Sequence, residues 1–186
     1  MKWRRNRSAG CGTHLPVRPL ILAGVLAVLP LSFAVAQDSH YTRHDYGNCE
    51  EAPSPEPGII NVRRCVGFDG IAVAWISEPD SSSVQFGDNP LEEYLDLGAA
   101  FEVGTTIEWR TGEVGSSPVA AIVRYRSGDS VANLARSRLV IYRLAPSGRS
   151  CVLGMITGAS DNLEARDLAD AHATAFACGT SKRIVQ

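Results

Sequence analysis

The sequence predicts an α+β fold: a mostly antiparallel β-sheet of five to seven strands with one C-terminal helix packed on it. Three observations lead there. Between Ile59 and Ile156, short runs rich in Val, Ile, Thr and Tyr recur, several with polarity alternating residue by residue. Turn signals made of Gly, Ser, Pro and Asn separate these runs, with no helix-length segment between them. A helical period occurs convincingly only once, between Asp161 and Ala177.

The N-terminus is expected to stand outside that fold. A basic stretch from Lys2 to Arg18 precedes an apolar run from Leu20 to Leu29 and the small-residue site Ala34-Val35-Ala36, the order of a secretory signal peptide. Residues 1–36 are therefore expected to be removed on export. An uncleaved membrane anchor is the alternative, but Leu20 to Ala36 contains Pro30 and Ser32 and lies at the short end of the spanning range. The full chain of 186 residues has 18 Lys plus Arg against 20 Asp plus Glu. Five of those bases and none of the acids fall in residues 1–36, so the remaining 150 residues carry 13 bases, 20 acids and a net charge of −7. That length suits one domain and leaves no room for a separate cofactor domain. The charge argues against nucleic-acid and anionic-membrane partners, both of which need a basic surface. No later segment approaches membrane-spanning length, so a periplasmic or secreted location is expected.

Export changes how the cysteines read. Cys49, Cys65, Cys151 and Cys178 form an even set that allows three pairings. Sequence-near pairing, Cys49 with Cys65 and Cys151 with Cys178, is the favoured one, each bridge stabilising by about 3–4 kcal/mol in the loop-entropy model. A four-cysteine zinc site is the rival, yet no two of these cysteines have the close spacing that zinc sites use.

Gln37 to Gly58 is polar and broken by Pro53, Pro55 and Pro57, which predicts a Pro-rich N-terminal loop ahead of a single globular domain over 59–186. Ile59 to Val66 reads as a strand, Gly67-Phe68-Asp69-Gly70 as a turn, and Ile71 to Ser77 as a strand apolar on both faces, hence central and covered on both sides. Asp80 to Pro90 reads as a loop holding a short strand at Ser83 to Phe86. Leu91 to Leu97 fits either one helical turn or an edge strand. The next strand puts Ile107 and Trp109 on one face and Thr106, Glu108 and Arg110 on the other; a turn over Gly112 to Pro118 leads to Val119 to Arg126, making a hairpin. Strands at Ser137 to Leu144 and Ser150 to Ile156 follow, joined at Pro146-Ser147-Gly148. The helix has Asp161 as its cap, Glu164 in its first turn, Gly179 beyond its end, and an apolar stripe through Ala165, Leu168, Ala169, His172, Ala175 and Phe176.

Few residues suggest chemistry. Gly128-Asp129-Ser130 follows a strand as a nucleophilic serine would, but no histidine with a suitably spaced acid follows it, and a polar turn is the simpler reading. His40 and His44 with Asp45 have metal-ligand spacing for a helix, in a segment with no helical pattern, so no metal site is expected. His172 on the helix stripe reads as a packed or rim histidine. No cofactor pattern occurs. The cluster that stands out is Glu108-Trp109-Arg110 with Arg124 on the neighbouring strand: Arg suits planar bidentate contacts, and the three charges can meet on one sheet face as an anion or partner-binding patch, or pair with one another on a solvated face.

Tyr41-Thr42 before Cys49, the block Cys65-x-Gly67-Phe68-x-Gly70-Ile71-x-Val73, Glu108-Trp109-Arg110, Pro118-x-Ala120-x-Ile122-x-Arg124-Tyr125, and Cys151 with Ala165-Arg166-x-Leu168-Ala169-Asp170 before Cys178 together span nearly all of the chain after residue 36. In these blocks the chain resembles a family of small exported bacterial proteins of unknown function. The resemblance implies export and four paired cysteines; it implies no activity. Pro53 to Pro57 stands where that family is usually more acidic. The functional expectation is a non-enzymatic binding module acting on an envelope protein, its acidic surface suiting a basic target. A small periplasmic hydrolase using Ser130 or His172 is the alternative.

Overall fold

The computed structural model describes residues 38–112, 115–145, 148–158 and 162–186. The expected signal peptide, the Asp161 cap and parts of the turns at 112–118 and 146–148 lie outside them. The described chain forms ten strands and one helix in the order β1 (Asp38–Arg43), β2 (Glu50–Glu51), β3 (Asn61–Val66), β4 (Ala72–Ser77), β5 (Ser82–Phe86), β6 (Ala100–Thr111), β7 (Pro118–Gly128), β8 (Arg136–Leu144), β9 (Ser150–Thr157), α1 (Leu163–His172) and β10 (Ile184–Val185). The α+β class holds, with one difference: there are two sheets. Six strands pair in the order β1-β6-β7-β8-β9-β10, and four pair as β2-β3-β4-β5. Every pairing is antiparallel except that of β10 with β9.

The large sheet is the middle layer. On β7, Ala121, Val123 and Tyr125 point towards the small sheet, where they meet Val73, Val84 and Phe86. Ala120 and Ile122 point the other way, towards Ala165, Leu168 and Ala169 of α1. Alternate apolar side chains thus feed two separate cores, as burial on both faces requires. β8 and β9 divide in the same way, Tyr142 and Val152 joining one core, Ile141 and Leu153 the other.

That corrects the expectation for β4. It is interior in the small sheet by pairing, but only Val73 of its residues is fully buried, and Ala74 and Ile76 are half-buried on a face that no described element fully covers. The N-terminal segment also differs from a plain loop. β1 pairs along its whole length with β6, from Asp38 opposite Thr111 to Arg43 opposite Thr106. Its sequence carries no apolar signal because it is an edge strand whose side chains bond polar partners. Leu91 to Leu97 forms neither helix nor strand; Leu95 and Leu97 plug the inter-sheet core while Arg138 donates to the Asp96 carbonyl.

The helix is shorter than its sequence pattern. Its N-cap is Asn162, and Ala173 and Phe176 remain buried in the turns after it, whereas His172 and Ala175 are exposed. The two cores are each pinned by a disulfide: Cys49 with Cys65 at a separation of 16, and Cys151 with Cys178 at a separation of 27, the sequence-near pairing. Paired cysteines fit an oxidising compartment. Among the described residues, no helix is long and apolar enough to cross a membrane. Gly154 shows how β10 reaches the sheet: a Cβ there would lie 2.4 Å from the Ile184 carbonyl oxygen.

Candidate functional site

The residues singled out by sequence divide between two faces of β6. Trp109 is fully buried in the inter-sheet core, edge-on to Phe86 at 5.4 Å, with its Nε1 donating to Thr42 Oγ1 at 2.8 Å. Glu108 and Arg110 point to the opposite face, beneath α1. The four residues therefore form no single surface patch.

Nor is that face solvated. Glu108 is 1% exposed and Arg110 5%. The Glu108 carboxylate accepts from Ser39 Oγ at 2.6 Å, from Asn162 Nδ2 at 2.6 Å and from Arg166 Nε at 2.5 Å. Arg110 donates through Nε to Asp170 at 2.9 Å, through Nη2 to the other Asp170 oxygen, and through Nη1 to Ser39. Arg124 donates to Ser137 Oγ at 2.8 Å and to Asn162 Oδ1 at 3.0 Å. Arg166 also reaches the Tyr41 hydroxyl at 2.7 Å. Burial pushes the Glu108 carboxyl upward, but the hydrogen bonds from Arg166, Asn162 and Ser39 and the Arg166 charge outweigh it and hold the group below its ordinary value. Bonding to Glu108 in turn raises the Arg166 guanidinium.

These charges pair with the helix, not across the hairpin. Arg110 has committed its planar fork to Asp170, and Glu108 is ionised and surrounded by donors, which makes the cluster a latch holding α1 on the sheet. The helix side of the latch, Asn162, Arg166 and Asp170, was not singled out from sequence. Its signal was there: three polar residues spaced by four form a stripe beside the apolar one.

The other candidates fall apart. His40 stacks on Phe68 at 4.4 Å, and His44 is buried beside Tyr46, sharing a hydrogen bond with Thr42 Oγ1 at 2.8 Å; burial lowers the His44 imidazole from its ordinary 6.5. Asp45 accepts from Asn48. Among the described residues, no three His, Cys, Asp or Glu side chains are grouped to hold a metal ion. Ser130 is exposed in its own turn, bridged to Asn133, with Asp129 paired to Arg136; His172 is exposed at the end of α1.

Among the described residues, the outer face of the small sheet forms a groove of about 1560 Å³. Its floor is built by register: Val62, Ile76 and Ser83 lie side by side on β3, β4 and β5, and Arg64, Ala74 and Gln85 form the next row. One wall is the Pro53 to Ile60 segment, which carries Ile59 at 55% exposure; the other carries Phe101 and Tyr94, the latter 75% exposed. Cys49–Cys65 pins the base of the first wall, and Glu93 anchors the second by accepting from Val152 N and pairing with Arg183 at 3.0 Å. Glu50, Glu56, Asp80 and Glu92 line the groove as exposed carboxylates without a side-chain partner among the described residues, while Arg64, a lining cation, is paired with Asp88 at 3.3 Å. The second apolar side of β4 was legible in the sequence, but as a covered face; that Ala74 and Ile76 stay open between two walls depends on where the flanking segments run. Comparisons with protein families, with curated proteins and with solved structures give no match.

Proposed function

We propose that the protein is an exported, non-enzymatic interaction module that acts on an envelope protein in the periplasm or outside the cell, docking it on the outer face of the small sheet. The observation that carries this reading is the groove itself, a mixed apolar and polar sheet face left uncovered between two anchored walls. The charged cluster under α1, which offered the competing surface, is occupied in holding the helix. Export is supported by the leader-like order of residues 1–36 and by the two disulfides. The test is crosslinking in the native envelope with the wild-type chain and with Ile76→Arg, which puts bulk and charge on the groove floor without entering either core. A specific envelope protein captured by the wild type and lost with Ile76→Arg is expected. Capture that Ile76→Arg leaves intact overturns the placement of the docking face.

A further inference from the structure

We infer that the partner segment seated in this groove is an extended, Arg- or Lys-bearing stretch of protein that places apolar side chains on the sheet and cations against the rim. The inference rests on the proposed docking face and adds the chemistry of its occupant. Size comes first. At about 1560 Å³ the groove is larger than the 300–1,000 Å³ typical of small-molecule sites, and it is open along one sheet face, so a polypeptide fits it better than a metabolite. The floor offers apolar contact at Val62, Ala74 and Ile76, which are half-buried, beside the polar Arg64, Ser83 and Gln85.

Charge then selects the class of polypeptide. Glu50 lies on the edge strand β2, Glu56 on the first wall, and Asp80 and Glu92 on the second; all four are exposed and have no cationic partner among the described residues. The cations beside the groove have acidic partners: Arg64 pairs with Asp88, Arg63 with Glu51, and Arg183, which also donates to the Tyr94 carbonyl at 2.7 Å, with Glu93. An acidic or phosphorylated segment would meet like charge on both sides, and a neutral one would leave the carboxylates unanswered. Tyr94 adds a second element: its ring stands 75% exposed on the rim beside Glu92, where it can take a guanidinium or ammonium on its face.

The probe is a synthetic ten-residue peptide alternating Arg and Val, compared with the same peptide carrying Gln for Arg, and read by fluorescence anisotropy on the full exported chain. Three variants accompany the wild type: Ile76→Arg, the rim variant Glu50→Gln/Glu56→Gln/Asp80→Asn/Glu92→Gln, and Glu164→Gln, an exposed control on α1. The Arg peptide is expected to bind at low salt at least about tenfold more tightly than the Gln peptide, to weaken about tenfold or more with the rim variant and in about 0.5 M salt, to be lost with Ile76→Arg, and to be unaffected by Glu164→Gln. Equal binding of both peptides, or a rim variant that binds like the wild type, overturns the cationic occupant. Binding of the Arg peptide that survives Ile76→Arg places it elsewhere and overturns the inference as well. The envelope crosslink keeps the two ideas separable: a partner lost with Ile76→Arg but retained by the rim variant preserves the docking face and removes the charge argument. Unchanged melting temperatures of the variants establish that they are folded.

Discussion

Replacing Glu108 with glutamine removes a charge while keeping the shape of the side chain. The carboxylate is 1% exposed and accepts from Ser39, Asn162 and Arg166. A glutamine retains one acceptor oxygen and turns an NH₂ group towards donors. Losing a hydrogen bond to a charged group costs about 1.5–3 kcal/mol, and removing one partner of a buried pair about 3–5 kcal/mol. The Arg166 side chain is 35% exposed, so water recovers part of its charge and the lower part of that range applies. The expected loss is about 2–3 kcal/mol, a fall in Tm of about 4–12 °C for a domain of this size. Urea unfolding followed by tryptophan fluorescence measures it, and a cycle with Arg166→Met should show a coupling of about 1 kcal/mol or more. The sign with pH is also set. Because the folded Glu108 carboxyl is held below its ordinary 4.5, its contribution is fully present above that pH and is lost as pH falls through the folded value, so wild type and Glu108→Gln should converge in acid. A loss below about 0.5 kcal/mol at neutral pH, or a gap that persists in acid, refutes the latch.

Burial lowers the His44 imidazole below 6.5, so the unfolded chain takes up a proton that the folded chain refuses; stability should fall as pH drops below about 6.5, and His44→Gln should flatten that part of the denaturation profile, a persisting slope counting against the assignment. Tyr125, fully buried, accepts from Val84 N at 3.2 Å and shares a hydrogen bond with the Tyr142 hydroxyl at 2.7 Å, so Tyr125→Phe should cost about 1–3 kcal/mol in chemical denaturation by orphaning the Val84 amide. Gly67→Ala would place a Cβ 2.7 Å from the Trp109 ring and 2.9 Å from the Ile71 carbonyl oxygen, neither free to move, so the melting temperature should drop and the Trp109 environment should change in near-UV circular dichroism. Removing Cys151–Cys178 by double Ala substitution should cost about 3–4 kcal/mol, marginally more than removing Cys49–Cys65 because its loop is longer, 27 against 16.

Strand identity was legible wherever side chains alternate against a core. Ile107 and Trp109 against Glu108 and Arg110, and Ala121, Val123 and Tyr125 against Ala120 and Ile122, stand on the faces that their spacing requires. β1 was not legible, since Asp38–Arg43 contains no aliphatic residue; it becomes a strand because β6 offers it an open edge and because Ser39 and Thr42 find polar partners in Glu108 and Trp109. His172 was placed on the apolar stripe of the helix by a regular period, but the helix ends there and the chain turns so that Ala173 and Phe176 take the buried positions. The candidate charges were legible as residues and not as a site: the spacing put Glu108 and Arg110 on one face, while only the docking of α1 supplied Arg166 and Asp170 and used up their charge.

By itself, the sequence determined the α+β class, the faces of the strands and the cysteine pairing favoured by proximity, because each depends on residues close together in the chain or on a local period. Tertiary structure alone decided that the strands form two sheets, that the conspicuous charges turn inward to hold a helix, and that the small sheet keeps its outer face open beneath an acidic rim. Such features depend on which distant segments meet, and β-pairing between them is selected by packing in three dimensions, which leaves no short-range signal to read.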